Sequence, residues 1–247
     1  MRITHAELFA GIGGFSLAAK WMGWNNVFAV EIDEWCRNKL KMNFKQADIY
    51  GDIKDFKGAK YKGQVDVLSG GFPCQPFSFS GQRKGKGDDR YLWPEMLRVC
   101  REVRPRFVVA ENVPGIISME LDNVLADLEN EGYTCWPPLV IPACAVGADH
   151  RRDRVWIIAH TNGNGRKTFL QGNKKHRPQT IRPSAKCYSH LVTAEQFERS
   201  FSQPLLLDSK DGLPPTVDVM NALKASGNAI VPQVAYTIFK QIEVFLN

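Results

Sequence analysis

Short apolar runs alternate with longer amphipathic stretches through the first 160 residues of the chain. Such runs, bounded by turn residues, predict buried strands at 8–10, 27–30, 65–68, 106–110 and 154–159. The stretches between them have helical periodicity and predict helices at 15–22, 33–43, 94–103 and 122–130. Strands that alternate with helices predict an α/β fold with a doubly wound parallel sheet.

The pattern changes after residue 160. Nothing from 161 to 210 keeps a sustained period, although 194–201 has the composition of a short helix. Order resumes near 216, and an amphipathic helix is predicted from Pro232 to Phe245, with proline in its first turn. We therefore predict a first domain over 1–160, a small irregular segment over 161–210, and a return to the first domain over 211–247.

Composition narrows the class of protein. No apolar run reaches the roughly 18 residues of a membrane span, and the first residues do not resemble a signal peptide, so we expect a soluble cytoplasmic protein with no membrane partner. The six cysteines include no CxxC pair, which predicts reduced thiols and no metal site.

The positive charge is concentrated in one segment. The formal net charge is +6, and residues 161–210 contain nine Lys or Arg against three Asp or Glu, so the rest of the chain is balanced. This excess is typical of a surface that binds nucleic-acid phosphates, and equally of a solvated loop.

The first strand and helix are joined by a glycine-rich turn. Gly11–Gly14 precede the predicted helix, and Glu31 follows the second strand, 20 residues beyond Gly11. This layout is typical of nucleotide-type cofactor sites, in which the turn approaches the ligand and the acid binds a ribose. Cys74 and Glu111 follow the strands predicted at 65–68 and 106–110, and Asp52 follows Ile49-Tyr50-Gly51, which we interpret as a further strand end. We therefore expect all of these groups to line one crevice.

A cysteine follows the third apolar strand. Cys74 lies between Pro73 and Pro76, after two glycines and before a polar loop rich in glycine, lysine and arginine. The glycines permit the backbone to approach a ligand closely, and the prolines restrict the backbone so that the thiol keeps one direction. This arrangement is typical of a catalytic nucleophile. A buried structural cysteine is the alternative for this motif taken alone.

Five motifs, taken together and in this order, resemble those of the cytosine-C5 DNA methyltransferases. They are Phe9-Ala10-Gly11-Ile12-Gly13-Gly14, Gly71-Phe72-Pro73-Cys74-Gln75-Pro76-Phe77-Ser78, Glu111-Asn112-Val113, Arg152-Asp153-Arg154 and Gly227-Asn228-Ala229-Ile230-Val231-Pro232. The resemblance implies a class I (Rossmann-like) methyltransferase fold, with 1–160 as the catalytic and cofactor-binding domain and 161–210 as a target-recognition segment. It also implies DNA methylation, as in restriction-modification systems, by a monomer acting on double-stranded DNA, and leaves room for a cognate restriction endonuclease.

The same resemblance assigns roles to individual residues. Cys74 would add to C6 of a cytosine flipped out of the duplex, and Glu111 would donate to N3, which requires a raised pKa. Asn112, Arg152 and Arg154 complete the catalytic set. The cofactor would be S-adenosyl-L-methionine, released as S-adenosyl-L-homocysteine, and it would contact Phe9, Ala10, Gly11, Ile12, Gly13, Gly14, Glu31, Ile32, Asp52, Ile53, Pro73, Leu92 and Asn228. DNA contacts would come from Ser78, Arg83, Lys84, Lys86, Arg90 and His150.

Three alternatives stay open. An RNA cytosine-C5 enzyme would use the same catalytic residues. A nucleic-acid-binding protein without activity is suggested by the short recognition segment and by the blurred motif at 211–218. A nucleotide-dependent redox enzyme would leave the cysteine and glutamate motifs unexplained.

Overall fold

The structure is a computed structural model that describes residues 2–73, 91–161, 225 and 229–246, and the backbone of 179–180. Its strands are β1 (Thr4–Leu8), β2 (Asn25–Val30), β3 (Asp48–Tyr50), β4 (Val67–Gly71), β5 (Phe107–Asn112), β6 (Tyr133–Cys135), β7 (Leu139–Ile141), β8 (Arg154–Thr161) and β9 (Gln179–Thr180). Its helices are α1 (Gly14–Trp21), α2 (Glu34–Asn43), α3 (Trp93–Val103), α4 (Ile116–Met119), α5 (Leu121–Asn130) and α6 (Pro232–Leu246), with 3₁₀ turns at Gly58–Tyr61 and Ala143–Val146. The strands and helices predicted between residues 8 and 160 are present, with bounds shifted by a few residues.

The strands form one mixed sheet in the order β3-β2-β1-β4-β5-β8-β7-β9, and β6 pairs with β8. The pairs from β3 to β5 are parallel, as predicted. The prediction of a wholly parallel sheet is wrong at β8, which runs antiparallel to β5. The chain passes through the short strands β6 and β7 after α5, and both pair antiparallel with β8, so β8 enters the sheet from the opposite end.

Helices cover both faces of the sheet because successive side chains of a buried strand point to opposite sides. Val108 and Ala110 of β5 pack in the core that contains α3 and α5. Phe107 and Val109 pack in the core that contains α1 and α6. The helix predicted from Pro232 is confirmed as α6, which packs on α1 in this second core.

The chain divides into two compact units, Met1–Ile181 with Ile230–Asn247, and Arg182–Ala229. In the described part of the second unit, the amide of Ala229 donates to the carbonyl of Ala225 at 2.9 Å. The predicted domain boundaries at 160 and 210 and the predicted helix at 194–201 lie at or beyond the limits of the described residues and stay predictions. Among the described helices, none is both long and apolar enough to cross a membrane.

Candidate active site

The carboxyl ends of four neighbouring strands bring the predicted site residues together. In the sheet register, Leu8 of β1 lies beside Val30 of β2 and Gly70 of β4, and Gly71 of β4 lies beside Glu111 of β5. Segments that leave these strands therefore meet at one edge of the sheet, where ligands of doubly wound folds bind.

The glycine turn between β1 and α1 is closely packed. Gly11 and Gly13 have positive φ, at 53° and 90°. A Cβ on Gly13 would lie 2.5 Å from a ring carbon of Phe44, and one on Gly14 would lie 2.6 Å from a side-chain carbon of Ile230. The turn needs glycine at 13 for both its conformation and its contacts, and at 14 for its contacts.

Glu31 connects the glycine turn to the end of β2. Its carboxylate accepts from the amide of Gly11 at 2.6 Å and from the amide of Asp33 at 2.8 Å. Arg37 of α2 donates to the carbonyls of Glu31 and Ile32, at 3.1 Å and 2.6 Å. The next side chain, Ile32, is 70% exposed.

A turn after β3 carries the second acid of this edge. Asp52 accepts the amide of Lys54 through Oδ1 at 2.9 Å, and its carbonyl accepts the amides of Asp55 and Phe56 at 3.2 Å. The side chain of Ile53 is buried in the core, so its predicted cofactor contact stays a prediction.

These groups fit S-adenosylmethionine. A fixed carboxylate at Glu31 suits the two hydroxyls of a ribose, and the exposed side chain of Ile32 suits the face of a purine. The carboxylate of Asp52 suits an exocyclic amine. Phe9 and Ile12 are partly buried beside the glycine turn, whereas Ala10 is buried.

The side chain of Glu111 is buried beside two positively charged arginines, Arg154 and Arg152. Its carboxylate accepts a charged hydrogen bond from Nε of Arg154, with Oε1 at 2.8 Å. Its neighbours across the sheet are Gly71 and the buried Trp156, and a Cβ on Gly71 would lie 3.1 Å from Oε2. Burial raises the pKa of Glu111 to about 7, against the opposing charges of Arg154 and Arg152. The predicted rise in this pKa is confirmed.

Asn112 joins β5 to the backbone that leads to the cysteine motif. It is buried, and its Nδ2 donates to the carbonyl of Phe72 at 3.0 Å while its Oδ1 accepts the amide of Val113 at 2.9 Å. The amide of Leu92 donates to the carbonyl of Pro73 at 3.5 Å. These contacts fix the backbone on both sides of residues 74–90.

The two predicted arginines differ in environment. Arg154 begins β8 and contacts Glu111 directly. Arg152 has a positive φ of 34°, and burial lowers its pKa, as does the charge of Arg154. His150 is exposed in the loop before them.

Several predicted site residues lie outside the described part of the chain. They are Cys74, Ser78, Arg83, Lys84, Lys86, Arg90 and Asn228. Their roles stay predictions from the sequence.

A second buried carboxyl, which the sequence did not predict, lies beneath the glycine turn. Glu7 of β1 accepts the amides of Phe15 and Ser16, at 3.1 Å and 2.8 Å, and the hydroxyl of Ser16 at 2.5 Å. Burial raises its pKa to about 7. Its signal in the sequence is an acid four residues before the first glycine of the turn.

The chain is similar in sequence to proteins of one known family. The family model of the C-5 cytosine-specific DNA methylases matches residues 3–204. The Escherichia coli Type II methyltransferase M.Eco47II is 35% identical over 165 residues, covering 64% of this chain and 40% of its own length. The Bacillus subtilis Type II methyltransferase M.BsuFI is 30% identical over 242 residues, covering 93% of this chain and 58% of its own.

The crystal structure of S. pombe Dnmt2 methyltransferase matches with a TM-score of 0.66 at 20% identity, covering 99% of each chain. This likeness confirms the predicted class I fold. The chain spans about half the length of the two curated relatives.

Proposed function

Since this chain belongs to the C-5 cytosine-specific DNA methylase family, we propose that it is a DNA (cytosine-5-)-methyltransferase. It transfers the methyl group of S-adenosylmethionine to C5 of a cytosine in double-stranded DNA. The observation that carries the proposal is the buried Glu111, with a pKa of about 7, held by Arg154 at the strand end next to the cysteine motif.

The chemistry needs a nucleophile because C5 of cytosine is too weakly nucleophilic to accept a methyl group directly. The thiolate of Cys74 adds to C6, which breaks the conjugation of the ring and moves electron density towards C5 and N3. Only a few per cent of a free thiol with a pKa near 8.5 is ionised at neutral pH, so nearby cationic or donor groups must favour the thiolate.

Glu111 supplies the matching acid. A carboxyl with a pKa of about 7 is half protonated near neutral pH, so it can donate to N3 as the ring accepts electrons. C5 then takes the methyl group, which leaves S-adenosylhomocysteine, and loses its proton to a base. Cys74 leaves as the thiolate while C5 and C6 regain their double bond, and N3 returns its proton to Glu111. Arg154 orients Glu111, and Arg152 adds positive charge beside the O2 atom of the base.

The cofactor supplies an electrophilic methyl group. Glu31 orients it through the ribose hydroxyls, Asp52 through the adenine amine, and Ile32 through the face of the purine. The glycine turn admits the amino-acid part because Gly11 carries no side chain at this edge.

Cys74 cannot reach a stacked base, so the target cytosine must be flipped out of the duplex. The basic segment 161–210 supplies phosphate contacts and recognition, while His150 and the cationic residues between 78 and 90 contact DNA near the flipped base. We assign the protein to the cytoplasm as a monomer, and the family resemblance leaves room for a cognate endonuclease.

Transfer of labelled methyl from S-adenosylmethionine to mixed-sequence duplex DNA tests the proposal. Structured RNA is assayed in parallel, and the product is identified as 5-methylcytosine. Label in DNA that disappears in Cys74→Ala supports both the reaction and the nucleophile. Label only in RNA favours the RNA enzyme, and cofactor binding without label in either polymer favours the binding protein.

A further inference from the structure

One arginine outside the proposed catalytic set binds the turn that carries Asp52. Arg98, on α3, donates through Nη2 to the carbonyl of Ile53 at 2.7 Å and through Nη1 to the carbonyl of Phe56 at 3.0 Å. These carbonyls lie one and four residues after Asp52, so a single guanidinium spans the turn.

The guanidinium is itself fixed in place. Its Nε donates to Glu95 at 2.8 Å and its Nη1 donates to Glu102 at 2.7 Å, both on the same helix. The side chain of Arg98 is 26% exposed. A guanidinium with charged partners on two sides keeps one orientation, so α3 presents two fixed donors to the turn.

The far end of the turn is held by the same helix. The other carboxylate oxygen of Glu102 accepts the amide of Gly58 at 2.6 Å. A Cβ on Gly58 would lie 2.8 Å from a methyl carbon of Val103, so the backbone lies directly on α3. Residues 53–58 are therefore held at three points by one helix, while the side chain of Asp52 remains partly exposed at the strand end.

We infer that Arg98 is a positioning residue for the cofactor: by binding the Ile53 and Phe56 carbonyls it sets the direction of the Asp52 carboxylate towards the adenine amine. This inference rests on the proposed function, in which Asp52 contacts the cofactor. Because α3 begins at Trp93, directly after Leu92, the same helix connects the Asp52 turn to a second predicted cofactor position.

The test compares two ligands that differ at the group Asp52 would bind. S-Inosylhomocysteine carries an oxygen where S-adenosylhomocysteine carries the amine. Isothermal titration gives both dissociation constants for the wild type, Arg98→Gln and Arg98→Lys, with Asp52→Asn as the reference for a lost amine contact.

The matched control is Arg101→Gln. Arg101 lies on the same helix and pairs with Glu131 at 2.7 Å, away from the turn. The wild type and this control are expected to prefer the adenosyl ligand, and both Arg98 variants are expected to lose about tenfold of that preference, the value of one charged hydrogen bond. Lysine retains the charge but cannot span two carbonyls, so it should not restore the preference.

A structural role alone would lower the melting temperature of Arg98→Gln and leave the preference unchanged, which overturns the inference while the proposed function stands. A wild type that binds neither ligand overturns the cofactor assignment and the inference with it. If both Arg98 variants fail to fold, hydrogen exchange on the wild type decides. Bound S-adenosylhomocysteine should slow exchange at the amides of Asp55 and Phe56, which donate to the backbone carbonyl of Asp52. If the ligand does not slow exchange at these amides, the inference is contradicted.

Discussion

Replacing Arg154 with methionine should move the alkaline limb of the pH–rate profile to higher pH. The charged hydrogen bond from Arg154 to Glu111 spans 2.8 Å between side chains that are 20% and 10% exposed. It opposes the burial that raises the pKa of Glu111 to about 7. Without this arginine, the carboxyl keeps its proton to a higher pH.

The size of the change in the pKa of Glu111 follows from the distance between the two charges. Two unit charges about 4 Å apart at an effective dielectric constant of about 20 attract by about 4 kcal/mol. That energy corresponds to about three pH units, since one unit is about 1.4 kcal/mol. The remaining charge of Arg152 and the partial exposure of Arg154 reduce the effect, so we expect the pKa to rise by about one to three units.

The assay is the pH dependence of kcat/KM for duplex DNA, because this parameter reports the groups of the free enzyme. The wild type should lose activity as pH rises through about 7, when Glu111 loses its proton. In Arg154→Met the rate should be lower throughout, since Glu111 is no longer oriented by the arginine, but its alkaline limb should lie one or more units higher. Glu111→Gln, which carries a permanent donor, should have no limb of this origin.

Arg151→Met is the matched control. The side chain of Arg151 is 83% exposed and pairs with Asp153 at 2.9 Å. Arg151 lies three residues before Arg154 in the chain. Its replacement should leave the limb where it is. A limb that stays near the wild-type position in Arg154→Met would show that the acid is not Glu111, or that Arg154 does not set its pKa.

Two further predictions concern the glycine turn. Burial raises the pKa of Glu7 from its ordinary value of 4.5 to about 7 in the folded protein, so the stability that its protonated form contributes is present below pH 4.5 and is lost as pH rises through 7. Urea unfolding of wild type should therefore lose about 3 kcal/mol more than Glu7→Gln between pH 4.5 and 8, and parallel curves would contradict this assignment. Gly13→Ala should destabilise by about 2–4 kcal/mol, because it adds a clash with Phe44 to the cost of a positive φ. Gly11→Ala meets nothing within 4 Å and should cost only about 1–2 kcal/mol, so equal losses in denaturant unfolding would refute the packing argument.

The sequence predicted the parts of the fold whose signal is local. Strands β4, β5 and β8 are apolar runs long enough to be recognised alone, and α3 and α5 have clear helical periods. The carboxyl ends of β2 and β5 then locate Glu31 and Glu111 without knowledge of any distant contact. Strands β6 and β7 contain three residues each, too few for a period, so their antiparallel pairing with β8 was not predicted.

Residues that act through distant partners were not predictable in this way. Arg98 binds a carbonyl 45 residues earlier in the chain, and on its own helix it reads as an ordinary surface arginine beside two acids. Glu7 lies before the strand predicted at 8–10, and its role is visible only in the structure, where two amides at the start of α1 donate to it. The rise in the pKa of Glu111 could be predicted because the burial of this strand end follows from the apolar pattern of β5 itself.

Glu7 and Glu111 show why a raised pKa alone does not identify the reacting acid. Burial raises both pKa values to about 7, and both side chains lie at the same edge of the sheet. The partners distinguish them. Glu7 is 2% exposed and its carboxylate accepts two backbone amides and a hydroxyl from α1, so its bonding capacity serves the glycine turn. Glu111 is held by the side chain of Arg154, and among the described residues the lack of a side chain at Gly71 leaves space beside its second oxygen. A flipped base needs an acid with an oxygen that is not already committed to the backbone, and of these two carboxyls Glu111 meets that condition.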